Sequence, residues 1–288
     1  MNRFYMTGEG PRDGKWRIFY GCLVICFRDV QPACPGEQMK LTGNTILITG
    51  GGSGIGRGLA EALHALGNQV IISGRRKGHL DETTKANPGM KSVELDVQDA
   101  ASIERVAKEL IAEFPKLNVL INNAGIMKDD DASKVMDETV LVSTMMTNVL
   151  GPIRLTSALV EHLKQQEGAT IVHVTSGLAF TPLALNAVYS ASKAAIHSYA
   201  MSQRYKLKES GVRVLELSPP YVQTELLRGA NDPNAMPLKD FIAETMQILG
   251  GDVDEVLTER VKPLRNNAGP GEHAFVDKFN TLMKQMRP

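Results

Sequence analysis

Cysteine is nearly absent from this chain. Its three copies, Cys22, Cys26 and Cys34, all fall in the first 34 of 288 residues. The remainder can therefore build neither a disulfide framework nor a thiolate metal site, and it suits a reducing compartment, which points to the cytoplasm. Charge of one sign is lacking too: 32 Lys and Arg balance 32 Asp and Glu, leaving no basic excess for nucleic acid and no acidic tail. The apolar stretch IFYGCLVICF has about half the length a bilayer span requires, so no integral membrane segment is expected. The six histidines are scattered; His162, His173 and His197 show no ligand spacing such as H-E-x-x-H, and no metal is expected. Internal repeats and low-complexity segments are missing as well. What remains is a folded chain, 43% hydrophobic and able to form a sizeable core, whose partners are small molecules.

Residues 1 to 38 stand apart. They hold the only tryptophan, Trp16, all the cysteines, and the turn-rich QPACPGEQ after IFYGCLVICF. Three readings stay open: an upstream extension, disordered or outside the fold; a targeting or anchoring segment, whose apolar core has signal-peptide length but is followed by a poorly formed cleavage site; or an unforeseen role. Met39 opens KLTGNTILITG, a natural domain start, and residues 39 to 288 are expected to form one domain.

From Asn44 onward, short β-branched apolar runs alternate with stretches of helical period, the signature of βαβ units. The strand candidates are 45 to 49, 69 to 73, 92 to 96, 118 to 122, 170 to 175 and 212 to 218. Helices are expected at 55 to 66, 78 to 86, 99 to 113, within 132 to 166, and at 187 to 209. Strands this apolar belong to a parallel sheet covered on both faces, doubly wound, with ligands received at the strands' carboxyl ends. After Ser218 prolines enter and helical segments follow near 237 to 249 and 252 to 265, a short cap within 225 to 288. No seventh strand is recognisable.

Residues 49 to 58 read TGGGSGIGRG, directly behind the first strand. At such a turn the unpaired helix amides and the helix dipole favour an anion, and glycine lets a pyrophosphate come close. Gly50, Gly54 and Gly56 fit neither G-x-G-x-x-G nor G-x-x-x-x-G-K-[ST], so on this run alone a purely structural turn stays open. With its neighbours it resembles the T-G-x-x-x-G-I-G signature of the short-chain dehydrogenase/reductase family, carried by Thr49, Gly50, Gly54, Ile55 and Gly56 around Ser53. Asp96-Val97, Asn122-Asn123-Ala124-Gly125, Asn148, Ser176, Tyr189 and Lys193 follow in family order, and the resemblance spans about residues 41 to 225. It implies a Rossmann-type α/β domain with a nicotinamide dinucleotide at these positions and at Thr224, although Pro219-Pro220 replaces the commoner Pro-Gly nearby. The stretches SGLAFTPLALNAVYSASKAAIHSY and ERVKPLR resemble a bacterial-type subgroup named for a supposed role in D-alanine esterification of lipoteichoic acid.

The second strand ends IISGRRKG. Gly74 stands where NAD-preferring members carry an acid for the ribose 2′-hydroxyl, and Arg75 and Arg76 follow. Guanidinium groups bind phosphate with directed, charge-assisted hydrogen bonds, so NADP(H) is the expected cofactor; a solvated basic loop is the bland alternative.

Tyr189 and Lys193, in YSASK, share one helix face one turn apart; Ser176 ends the fifth strand. A free tyrosine is a poor base at neutral pH, and a nearby ammonium lowers its pKa. The resemblance implies Tyr189 as acid/base, Lys193 as its charge partner and ribose ligand, Ser176 as the group that holds the substrate oxygen, and Asn148 as anchor of a proton path through water. For Asn148 a polar residue satisfied by backbone is the open alternative. The expected activity is hydride transfer between NADP(H) and a ketone or aldehyde or its alcohol. The rival is a catalytically silent NADP-binding regulatory or scaffold protein. Asp129, Asp130 and Asp131 read as a solvated loop rather than a cation site, and the long helices are expected to form a homodimer.

Overall fold

The computed structural model of the chain describes residues 17–20, 23–26, 38–227 and 232–286. It divides into two units, Met1–Glu37 and Gln38–Pro288. In the first, β1 (Arg17–Tyr20) and β2 (Leu23–Cys26) pair antiparallel, Arg17 opposite Cys26 and Tyr20 opposite Leu23. Most of the stretch on which the extension and targeting readings fall, including Trp16, Cys22 and Cys34, lies outside the described residues.

The second unit runs β3 (Thr45–Thr49), α1 (Gly54–Ala65), β4 (Gln69–Gly74), α2 (Lys77–Ala86), β5 (Lys91–Glu94), α3 (Ala100–Glu113), β6 (Leu117–Asn122), α4 (Glu138–Met145), α5 (Gly151–Leu163), β7 (Thr170–Val174), α6 (Ala187–Leu207), β8 (Arg213–Leu217), α7 (Leu238–Leu249), β9 (Glu255–Val256), α8 (Lys262–Arg265) and α9 (Glu272–Met286). The sheet order is β5-β4-β3-β6-β7-β8-β9, every pair parallel. The winding reverses between β3 and β6, which opens a crevice at their carboxyl ends.

The two-residue period of the strands divides the core into two layers. Ile46, Ile48, Val70, Ile72, Val119, Ile121, Val172 and Val174 pack with Leu59 and Leu63 of α1 and Phe241 and Leu249 of α7. The alternate residues Leu47, Ile71, Leu120, Ile171 and Val214 meet Ile103 of α3, Leu155 and Leu159 of α5 and Ala200 of α6. Both faces are dry, which is why these strands read as unbroken apolar runs.

The structure departs from the sequence reading in three places. A seventh strand exists: β9 pairs Glu255 with Glu216 and Val256 with Leu217. Two residues, one of them charged, are too short to show a period, and they replace part of the helix expected over 252 to 265. The segment expected as one long helix within 132 to 166 breaks into α4, a π-turn at Met146–Leu150, and α5. Pro152 has no N–H to give the Asn148 carbonyl four residues back, so the helix widens there and Gly151 N bonds Met146 O instead. Finally, α9 closes the chain as a helix beyond the expected cap segments. No helix among the described residues is long and apolar enough to cross a membrane.

Candidate functional site

The glycine turn and the NNAG segment are clasped across the crevice. Thr49 Oγ1 accepts from the backbone N–H groups of Asn123 (3.0 Å) and Ala124 (2.9 Å), and Asn123 Nδ2 donates to Thr49 O (2.8 Å). A β-carbon on Gly56 would lie 2.4 Å from both Gly50 O and Asn123 Nδ2, so only glycine fits where the turn meets the NNAG segment. Gly50, at φ 68°, takes the left-handed conformation that other residues rarely adopt.

This turn floors a cavity of about 490 Å³. Gly50, Ser53, Gly54, Ile55, Gly56, Arg75, Arg76, Val97, Asn123, Tyr189, Lys193 and Thr224 all line it. Asp96 does not. It lies with Arg75 in an adjoining depression beside Ser102 and Arg105, where its Oδ1 accepts from Gln98 N at 2.9 Å. Ser176 and Asn148 stand outside the lining as well.

Two residues that no motif singled out are exposed by the structure. Ser73 and Thr147 line the cavity, are buried, and have hydroxyl groups with no hydrogen-bond partner among the described residues. Hydroxyls left unmade in this way are costly unless something else satisfies them. Together with the glycine floor, they fit a polar ligand with a pyrophosphate. At the rim, Arg76 Nη2 donates to Ser53 Oγ (3.0 Å) and Nη1 stands 3.9 Å from Glu225 Oε2; Arg75 lines both the cavity and its neighbour.

The Tyr189 and Lys193 pair stands on α6. Asp130 reaches across from the loop after β6, and its two carboxylate oxygens accept from Ala187 N (3.0 Å) and Val188 N (2.9 Å), the first amides of the helix. Beside it Asp129 Oδ1 accepts from Asn186 Nδ2 (3.1 Å). The aspartate run is thus only partly the solvated loop that its composition suggests: Asp131 is held below the usual carboxylate range, at about 2, by Ser133 and Lys134, while Asp130 is the cap of the helix carrying Tyr189 and Lys193. No sequence signal could show this, because the cap lies about 57 residues from its helix.

Tyr189 and Lys193 are both buried, with Nζ 5.6 Å from the phenol ring centroid. Nζ donates to Val174 O at 2.8 Å. Burial pushes the Tyr189 phenol up to about 12, while its hydrogen bond with Ser176 pulls the other way. The lowering expected from the ammonium is not what the resting site shows; desolvation wins, and Lys193 is turned to a carbonyl. Burial also pushes Lys193 down to about 8, opposed by the charge of Glu216.

Ser176 Oγ accepts from Leu178 N (3.1 Å), which fixes the turn after β7. Asn148 sits on the π-turn with its amide fully engaged: Oδ1 accepts from Ile126 N (2.9 Å), and Nδ2 donates to Ile126 O (2.9 Å) and Ser192 Oγ (3.0 Å). It ties the loop after β6 to α6 beside Lys193 through both backbone and the Ser192 side chain.

A sequence model described as short chain dehydrogenase matches residues 44–235. The chain belongs to the short-chain dehydrogenase family. A Bacillus subtilis (strain 168) protein named "uncharacterized oxidoreductase DltE" is 37% identical over 84% of this chain and 99% of that one, which places this family member in the DltE-like subgroup. An "NADPH-dependent 1-acyldihydroxyacetone phosphate reductase" of Schizosaccharomyces pombe is 37% identical over 63% of this chain and 60% of its own. Among solved structures, a short chain dehydrogenase from Burkholderia cenocepacia J2315 in complex with NADP superposes with a TM-score of 0.74 at 26% identity, covering 83% of this chain and 98% of that one. This short-chain dehydrogenase shares with it the parallel sheet flanked by helices.

Proposed function

We propose that this protein is an NADP(H)-dependent oxidoreductase that reduces a small ketone or aldehyde to its alcohol, or runs the reverse, with Tyr189 as acid/base. The observation that carries the reading is that Tyr189 and Lys193, one turn apart on α6, share a cavity with the glycine turn and the arginine pair. Gly50, Ser53, Gly54, Ile55, Gly56, Asn123, Val97 and Thr224 would hold the dinucleotide, with Asp96 at its adjoining depression and Ser73 and Thr147 offering their unmade hydrogen bonds. Arg75 and Arg76 would take the 2′-phosphate, since Gly74 leaves no acid to repel it. The relatives support the phosphate: one is named NADPH-dependent and one structure holds NADP.

The bound nicotinamide supplies hydride chemistry; the chain positions it and moves the proton. A phenol at about 12 is protonated at neutral pH, so Tyr189 is ready to donate to a carbonyl oxygen as that oxygen gains charge. As the phenolate forms, the Lys193 ammonium stabilises it electrostatically in a water-poor site. The Ser176 hydroxyl steadies the substrate oxygen next to the phenol. Asn148 holds the loop that walls Lys193 and anchors the path by which the proton is replaced.

Val142, Leu150, Met201 and Tyr205 are exposed apolar side chains on α4, the π-turn and α6, and their exposure supports a homodimer through these helices. The reducing-compartment composition of the second unit supports a cytoplasmic location. Steady-state rates with NADPH and NADH against a panel of carbonyl compounds test the reading. NADPH preference of tenfold or more, lost in Arg75→Ala with Arg76→Ala, is expected for about 1.5–3 kcal/mol of charge-assisted bonding; a preference for NADH overturns the cofactor assignment.

A further inference from the structure

Behind the cavity wall lies a buried group of charges that the reaction as described does not use. Glu216 of β8 is fully buried and stands opposite His173 in register. Its Oε1 accepts from Thr175 Oγ1 (2.8 Å) and Ser218 Oγ (3.2 Å), and its Oε2 from His197 Nδ1 (2.7 Å). Glu255 of β9 lies alongside, and one ligand atom each from His197, Glu216 and Glu255 fall within 4.8 Å of one another. That spacing invites a metal, but Arg265 of α8 already grips both Glu255 oxygens, through Nε (2.8 Å) and Nη2 (2.9 Å). The guanidinium supplies the positive charge that a cation would bring, so Glu255 is neutralised by Arg265.

Among the described residues no Lys or Arg pairs with Glu216; its partners are two hydroxyls and the His197 ring, and burying a carboxylate without a fixed cation against it is expensive. The link to the Lys193 charge runs through the neighbouring strand: Thr175, which binds Glu216, follows Val174, whose carbonyl holds Lys193 Nζ at 2.8 Å. His197 stands one turn after Lys193 on α6, on the same side of the helix. The geometry points to Glu216 as the fixed counter-charge of the Lys193 ammonium, a positioning residue that acts on the reaction through Lys193. This rests on the reading of Lys193 as the partner of Tyr189.

The charged and titratable groups around this pair are Tyr189, His197 and Arg204 on α6, His173 on β7, Glu255 on β9 and Arg265 on α8. His173 is buried with its pKa lowered by desolvation, and its Nε2 donates to Gln203 Oε1 (2.9 Å), so it adds no charge. The electrostatics agree with the geometry: Glu216 raises Lys193 against burial. Removing a negative charge favours the neutral amine, so the ammonium is then lost at lower pH.

The test is an NMR titration of lysine Nζ in the full chain without cofactor, with Lys193→Met to assign the signal. In Glu216→Gln, Lys193 should titrate lower by about one pH unit or more, whereas Thr175→Val, which removes a hydrogen bond and leaves the charge, should titrate like wild type. The alkaline fall of kcat/KM for carbonyl reduction should move with the amine in Glu216→Gln. An unmoved Lys193 titration in Glu216→Gln overturns the proposal, as does a Glu216 signal that is protonated at neutral pH in the wild-type chain. A moved titration in a protein that reduces no carbonyl leaves this inference standing and sinks the proposed function instead.

Discussion

Lys193 shows how one buried side chain couples stability to chemistry. Its pKa is pushed from 10.5 to about 8, so the folded state binds fewer protons than the unfolded chain between those values. Stability therefore rises with pH across that window, and below pH 8 the full cost, on the order of 3 kcal/mol, is present. Lys193→Met should remove that dependence: urea unfolding of the cofactor-free protein at pH 7 and pH 10 should show a smaller gain for the variant than for wild type. A wild-type protein whose stability is flat over this range would contradict the burial argument. At this scale most of the candidate site is legible in the chain. The glycines, Asn123, Ser176, Tyr189 and Lys193 stand in order, because each is constrained by local turn or helix geometry. Ser73, Thr147 and Glu216 are not legible. Their importance comes from losing solvent and partners in the folded core, which no spacing records.

Elements carry these residues, and α6 depends on a contact far from it in sequence. Asp130 accepts from both leading amides of a helix 21 residues long, so Asp130→Ala should cost about 0.5–2 kcal/mol of stability. It should also lower kcat more than it raises KM, since the helix start sits within one turn of Tyr189; thermal melts and steady-state rates together check this, and Asp130→Asn should recover part of both. The same lesson applies to the sheet. Its strands β3, β4, β6, β7 and β8 are readable from apolar runs, whereas β9 needs the completed edge of β8 to pair with. The π-turn follows from Pro152 and was hidden because proline after glycine also opens helices. On the opposite face, Phe241 is fully buried against the inner strands, and Phe241→Ala should cost about 3–5 kcal/mol by denaturant unfolding.

Across the whole molecule, Met39 is buried in the core of the second unit, Gln38–Pro288. The exposed Tyr205 and Met201 on α6 make the proposed dimer testable at the same scale: Tyr205→Glu with Met201→Glu should shift the sedimentation velocity toward that of a monomer, because paired carboxylates are costly at an apolar interface. In the proposed reaction the cavity, the arginine pair and Tyr189 act together. The most direct test is to compare wild type and Tyr189→Phe for NADPH binding and for NADPH oxidation with an accepted carbonyl. The account predicts an NADPH Kd within a few-fold of wild type and turnover reduced by about 10²–10⁴; a Tyr189→Phe variant that turns over as fast as wild type would contradict it.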